Sequence, residues 1–92
     1  MAHRKPQTGY TEIPNSIIEA LCRVNLSPYQ SRVLWFIFRK TYGWHKDVDR
    51  LPLQQICRAT CLARANASRS LKSLADRNMI IRRQGLTAIQ RD

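Results

Sequence analysis

The run Val33-Leu34-Trp35-Phe36-Ile37-Phe38 puts six consecutive apolar side chains, three of them aromatic, into a chain of 92 residues. Its borders mark it as helix interior. Upstream, Ser27-Pro28-Tyr29-Gln30 supplies a capping hydroxyl, a proline at the first helical position and a glutamine three residues after the cap. Downstream, Arg39 and Lys40 complement the negative end of the helix dipole, and Gly43 is placed to stop the helix as a left-handed residue. A helix from Pro28 to about Tyr42 that is apolar all round should be covered on most of its circumference. It is therefore expected to be the central element of one modest core, which is as much as a chain of this length can build. Trp44 beside Arg39 and Lys40 could suggest base stacking, but a helix end folding back on the core accounts for the same residues.

The other elements must surround that helix. Residues 1–9, MAHRKPQTG, are polar and basic without periodicity and read as a flexible arm preceding a domain over 10–92. From Pro14, the residues Ile17, Ile18, Leu21, Cys22 and Val24 recur at helical spacing, with Asn15 or Ser16 as cap and Glu19 placed for a capping box with Ser16. After Trp44 comes a polar connection to Leu53, containing a short strand around Arg50–Leu51. Leu53, Ile56, Cys57 and Thr60 then mark two helical turns, Cys61-Leu62-Ala63 a tight turn, and Ala67, Leu71, Leu74 and Asn78 the stripe of a longer helix. Two β-favouring runs, Met79 to Gln84 and Leu86 to Arg91, meet near Gly85 as a hairpin. The expected fold is mostly α with a small β-hairpin: a winged helix-turn-helix.

Charge decides among function classes. Sixteen basic and six acidic residues give a formal charge of +10, which calls for a polyanionic partner, nucleic acid first. No stretch approaches the roughly 20 apolar residues of a spanning helix, and no signal-peptide pattern opens the chain, so a soluble cytoplasmic protein is expected. Cys22, Cys57 and Cys61 are odd in number, follow no disulfide framework and read as reduced, mostly buried thiols. Cys57 and Cys61 could share a helix face, but no second paired ligand motif accompanies them, and neither metal nor cofactor is expected. Paired carboxylates, nucleophile-base pairs and phosphate loops are missing from the sequence, so no catalysis is expected.

The helix after the tight turn carries the binding chemistry. With Ala67, Leu71 and Leu74 turned inward, a rotation of about 100° per residue puts Ala65, Arg69, Lys72 and Asp76 outward, flanked by Asn66, Ser68 and Ser73. Arg64 begins the helix. Arginine pairs with guanine and asparagine with adenine, while serine and lysine suit phosphates. Arg64, Asn66 and Arg69 are accordingly the candidate base readers; Ser68, Lys72 and Ser73 are candidate phosphate contacts. On the hairpin, Arg82, Arg83, Gln84 and Arg91 are candidates for phosphate or minor-groove contact, and on the arm His3, Arg4 and Lys5 are. From Arg58 to Arg83 seven basic residues face one acid, Asp76. The partner read from these residues is double-stranded DNA.

Gly9-Tyr10, Ile13-Pro14-Asn15, Arg39-Lys40-Thr41-Tyr42-Gly43-Trp44, Asp49-Arg50 and Leu53-Gln54-Gln55-Ile56, in that order, resemble the amino-terminal origin-binding domain of lambdoid phage replication protein O. The likeness runs from about Gly9 to Gly85. It implies a winged-helix domain that recognises repeated sites at a phage replication origin, commonly as a homodimer, during initiation of DNA replication. It also implies that engagement of a helicase or helicase loader would need chain beyond Asp92. In the turn, many members have Gly and Ser where this chain has Cys61 and Ala63, and Ala63 cannot cap the second helix through a side chain. Two other readings fit the residues without the resemblance. One is a phage or plasmid transcription repressor with the same surface; the other is a protein-interaction module on the same fold.

Overall fold

The computed structural model describes residues 9–91, so the candidate arm contacts His3, Arg4 and Lys5 lie outside the described residues. Its central element, α2 (Pro28–Thr41), starts as its sequence predicts. The Ser27 hydroxyl accepts from the Gln30 amide at 3.1 Å, and the Gln30 side chain accepts from the Ser27 amide at 2.9 Å. These bonds satisfy two of the donors that every helix start leaves open. Val33, Leu34, Ile37, Phe38 and Thr41 are buried, and the Thr41 hydroxyl donates to the Ile37 carbonyl.

The expected cover of α2 leaves one stripe open. Trp35 is 55% exposed, on the stripe of α2 with Tyr29 and Arg32 that no described element covers. The helix end differs as well. α2 passes into a 3-10 turn, Tyr42–Trp44, and His45, not Gly43, takes the left-handed conformation. Gly43 is buried at a close approach: a Cβ there would lie 2.9 Å from both Arg39 Nη1 and Thr11 Oγ1.

Before it, α1 (Asn15–Leu21) is shorter than its apolar spacing suggests. Pro14 takes the cap position without a side-chain hydrogen bond, so Ser16 already lies inside the helix and the Ser16–Glu19 box does not form. None of its residues is buried, although Ile17 and Leu21 rest against the core.

After α2 comes β1 (Val48–Arg50), then α3 (Leu53–Thr60), α4 (Arg64–Asp76), β2 (Ile80–Arg83) and β3 (Leu86–Ile89). The described strands form one antiparallel sheet in the order β1-β3-β2, so the expected hairpin gains a third strand on the free edge of β3. Met79, Gln90 and Arg91 fall outside the strands. Gln84 and Gly85, at φ 51° and 86°, make the two-residue turn whose positive dihedrals match the twist of paired strands.

Between α3 and α4, Cys61 is left-handed at φ 59°, Leu62 is buried and Ala63 caps α4 without a side-chain bond. Ala67, Ser70, Leu71 and Leu74 form the inward stripe of α4. Asn78, expected on that stripe, is exposed and left-handed, since the helix ends at Asp76. The thiols also depart from expectation. Cys22 and Cys61 are exposed and Cys57 is half-buried, because the first two stand at helix ends rather than within helices.

The core joins α2, Leu51, Ile56, Leu62 and the α4 stripe to Ile80 and Ile89 of the sheet. Burying leucines such as Leu71 and Leu74 contributes about 1.5–3 kcal/mol each and fixes which face of α4 remains outside. Cross-links set its angle. Gln30 Nε2 donates to Ser73 Oγ at 2.6 Å and Arg77 Nη1 to the Asn25 carbonyl at 2.8 Å, while Arg32 Nη1, donating to the Thr60 carbonyl at 3.3 Å, ties α3 to α2.

Candidate nucleic-acid interface

With its stripe fixed inward, α4 exposes Arg64, Ala65, Ser68, Arg69 and Lys72, with Asn66 half-exposed beside them. The Arg64 side chain makes no hydrogen bond or ion pair among the described residues. Arg69 Nη2 donates to Asn66 Oδ1 at 3.4 Å, which aligns two candidate readers one helical turn apart. Lys72 pairs with Asp76 at 3.3 Å, but both side chains are largely exposed, so the pair is weak and Lys72 remains able to turn toward an anion. Ser73 stands apart. Half-buried and accepting from Gln30, it secures α4 on α2.

Two shallow clefts flank this helix. One lies between Ser68, Leu71 and Lys72 of α4 and Arg82, Gln84 and Gly85 of the hairpin. The other lies between Asn66, Arg69 and Ser73 and the start of α2 at Ser27, Tyr29 and Gln30. The hairpin turn is thus brought beside α4, and its tip is firmly held. Arg50 Nη1 donates to the Gln84 carbonyl and the Leu51 amide to the Gly85 carbonyl, each at 2.8 Å. Sequence reasoning put Arg50 on a short strand within a polar connection but gave that strand no partner. Only the β1–β3 register, with Arg50 opposite Leu86, brings it to the tip.

The hairpin candidates separate. Arg83 is exposed without a partner among the described residues, and Gln84 is exposed at the turn. Arg82 turns inward, donating to Thr87 Oγ1 at 2.6 Å and to the Leu51 carbonyl at 2.8 Å. Its burial pushes the guanidinium pKa below the ordinary arginine value. Arg91 lies past the opposite end of β3 from the turn. It bonds Asp47 at 2.6 Å and sits 5.6 Å over the Tyr42 ring; Tyr42 first, and then Asp47, hold its pKa above the ordinary value.

Fold and site together define a small basic module, mostly helical, that presents Arg64, Arg69 and Lys72 on one exposed helix and Arg83 on a braced hairpin. The chain belongs to the bacteriophage replication protein O family, whose model matches residues 4–92. It is 36% identical over 77 residues to replication protein O of Escherichia phage lambda, covering 84% of this chain and 23% of that protein. Replication protein 15 of Enterobacteria phage phi80 is 35% identical over 82 residues, 88% of this chain and 27% of the relative. DNA replication protein gp18 of Salmonella phage P22 is 30% identical over 83 residues, 90% of this chain and 28% of the relative. The chain therefore spans about a quarter of the length of these relatives. No solved structure matches it. The likeness carried by Arg39 to Trp44 and Asp49-Arg50 is thus one of family.

Proposed function

We propose that the chain is a winged helix-turn-helix domain that binds double-stranded DNA sequence-specifically and recognises an origin during initiation of phage DNA replication. The carrying observation is the unobstructed face of α4, with Arg64, Asn66, Arg69 and Lys72 set beside a braced hairpin that ends in Arg83. A helix of this kind fits the major groove, while the hairpin, as the wing, reaches the neighbouring phosphates. Arg64, Asn66 and Arg69 read bases. Ser68, Lys72, Arg83 and Gln84 position the helix along the backbone; Ser73 and Arg82 hold α4 and the wing in place. The replication role rests on the family and on the names of the three relatives, all replication proteins. A homodimer on paired half-sites is part of this reading.

Selection from random duplexes, followed by binding across a salt series, tests the reading. A repeated or palindromic consensus is expected, with log affinity falling linearly against log salt. Arg69→Ala should cost about 1–3 kcal/mol of discrimination between consensus and random DNA. An unchanged specific-to-random ratio would remove Arg69 from the readers, and an affinity flat against salt would remove duplex binding altogether.

A further inference from the structure

The contacts assigned to the hairpin leave Arg50 without a role toward a ligand. It comes from β1, yet the register sets it directly opposite Leu86, and Leu86 directly opposite Arg83 of β2. Residues opposite one another in a ladder share a face, so Arg50, Leu86 and Arg83 form one row across the sheet, the first behind the turn. All three are exposed. The next row back, with Thr87 between Asp49 and Arg82, turns to the core side and takes with it the acid nearest to Arg50 in sequence. Asp49 accepts from the Arg50 amide at 2.9 Å and pairs with Lys46 at 3.5 Å. No ion pair among the described residues engages the Arg50 or the Arg83 guanidinium.

We propose, resting on the reading that the domain binds duplex DNA, that Arg50 is a further DNA-contacting residue of the wing, its guanidinium taking a backbone phosphate beside the one met by Arg83. The side chain is already mounted for that contact. Nη1 donates to the Gln84 carbonyl at 2.8 Å, which uses one of the guanidinium's donors and holds the others at the turn. A group ordered before binding loses less freedom when it binds. Two strand spacings separate Arg50 from Arg83 by about 10 Å at the backbone, so each can take its own phosphate. Position selects the partner. Gln84 and Gly85, the turn that Arg50 holds, line a cleft with Ser68 and Lys72 of α4, so a duplex lying along α4 meets the tip as well. The other strand residues of this face, Val48, Ile81 and Ala88, add no acid to repel it.

The test titrates the full chain with the selected consensus duplex from about 50 to about 200 mM salt. Arg50→Gln removes the charge but keeps an amide donor for the Gln84 carbonyl; Arg50→Lys keeps the charge. One phosphate contact contributes about −0.9 to the slope of log affinity against log salt, so the parent's advantage over Arg50→Gln should shrink about 3.5-fold across that range. Arg50→Lys should run parallel to the parent, and Arg50→Gln with Arg83→Ala should lose two contacts. Weaker binding by Arg50→Gln at the parent's slope would make Arg50 a strut for the turn and overturn the proposal, as would an equal change of slope in Arg91→Ala. Circular dichroism checks each fold, and a second measurement needs no variant. Phenylglyoxal labels exposed arginines, and bound duplex should shield Arg50 and Arg83 while Arg91 stays reactive, read site by site by mass spectrometry. Equal labelling of Arg50 with and without duplex overturns the proposal. So does shielding that grows with protein concentration in the absence of DNA, which gives the row to a second copy. A parent affinity flat against salt removes duplex binding itself; a steep parent slope left unaltered by Arg50→Gln removes Arg50 alone.

Discussion

Along β2 the pleat sends successive side chains to opposite faces, so the two arginines at its end meet different surroundings. Arg82 shares a face with buried Ile80 and stands opposite Thr87, whose hydroxyl it bonds. Its removal would strip the Leu51 carbonyl and the Thr87 hydroxyl of a charged donor, and buried acceptors left without partners are costly. Arg82→Ala is expected to lower stability in urea by about 1–3 kcal/mol, and Arg83→Ala to stay within about 0.5 kcal/mol of the parent. Duplex binding should respond in the opposite order: Arg83→Ala weakens every sequence alike, while folded Arg82→Ala keeps its sequence preference. Equal urea midpoints for the two variants would refute this division. In the sequence, Arg82 and Arg83 form one basic run. Alternation says that they part; only the register fixed by Gln84-Gly85 and the carbonyl of Leu51 says which one turns inward.

At the scale of elements, the joint between α3 and α4 sets how the exposed face of α4 is aimed, and it departs twice from what helix ends prefer. Cys61 occupies a left-handed position that costs a side-chain-bearing residue about 1–2 kcal/mol, and its exposed thiol offers little packing in return. Ala63 leaves the first-turn amides of α4 without a side-chain acceptor. Cys61→Gly is therefore expected to raise stability in urea by about 1 kcal/mol, and Ala63→Ser by a similar amount of about 1 kcal/mol. A loss in either variant would mean that the joint is held by something other than these local preferences. The missing cap was legible in the sequence, because alanine has no acceptor to offer. The start of α2 was equally legible, since the whole cap lies within Ser27 to Gln30. Ser16 and Glu19 copy the same pattern and fail, because the chain is already helical at Asn15. β1 was legible only in part: a short strand was expected around Arg50–Leu51, but Val48-Asp49-Arg50 has too few residues to show a period, and its bounds follow from pairing with β3.

For the molecule as a whole, charge density was legible in the sequence, but the availability of each charge was not. The seven cations between Arg58 and Arg83 look alike along the chain. Arg77 is spent on Asn25, 52 residues away, and Arg82 on Leu51, 31 residues away; Arg91, outside that run, is spent on Asp47, 44 residues away. Only the packed fold brings such partners together. The same holds for Trp35. A chain this small has too little surface to wrap all sides of one helix, and periodicity alone does not reveal which side is left bare. The fold thus sorts these cations into a set on α4 and the hairpin tip, a set used as internal struts, Arg58 exposed on α3, and Arg91 at the far end of the sheet. Each phosphate contact contributes about −0.9 to the slope of log affinity against log salt. Lys72→Ala and Arg83→Ala are expected to flatten that slope by about one contact each, whereas Arg77→Ala and Arg91→Ala should leave it parallel to the parent despite removing the same charge. Net charge falls equally in all four variants, so a uniform change of slope would mean that the duplex senses only the total charge. A flattening by Arg91→Ala alone would move the contact surface to the Asp47 end of the sheet, away from α4.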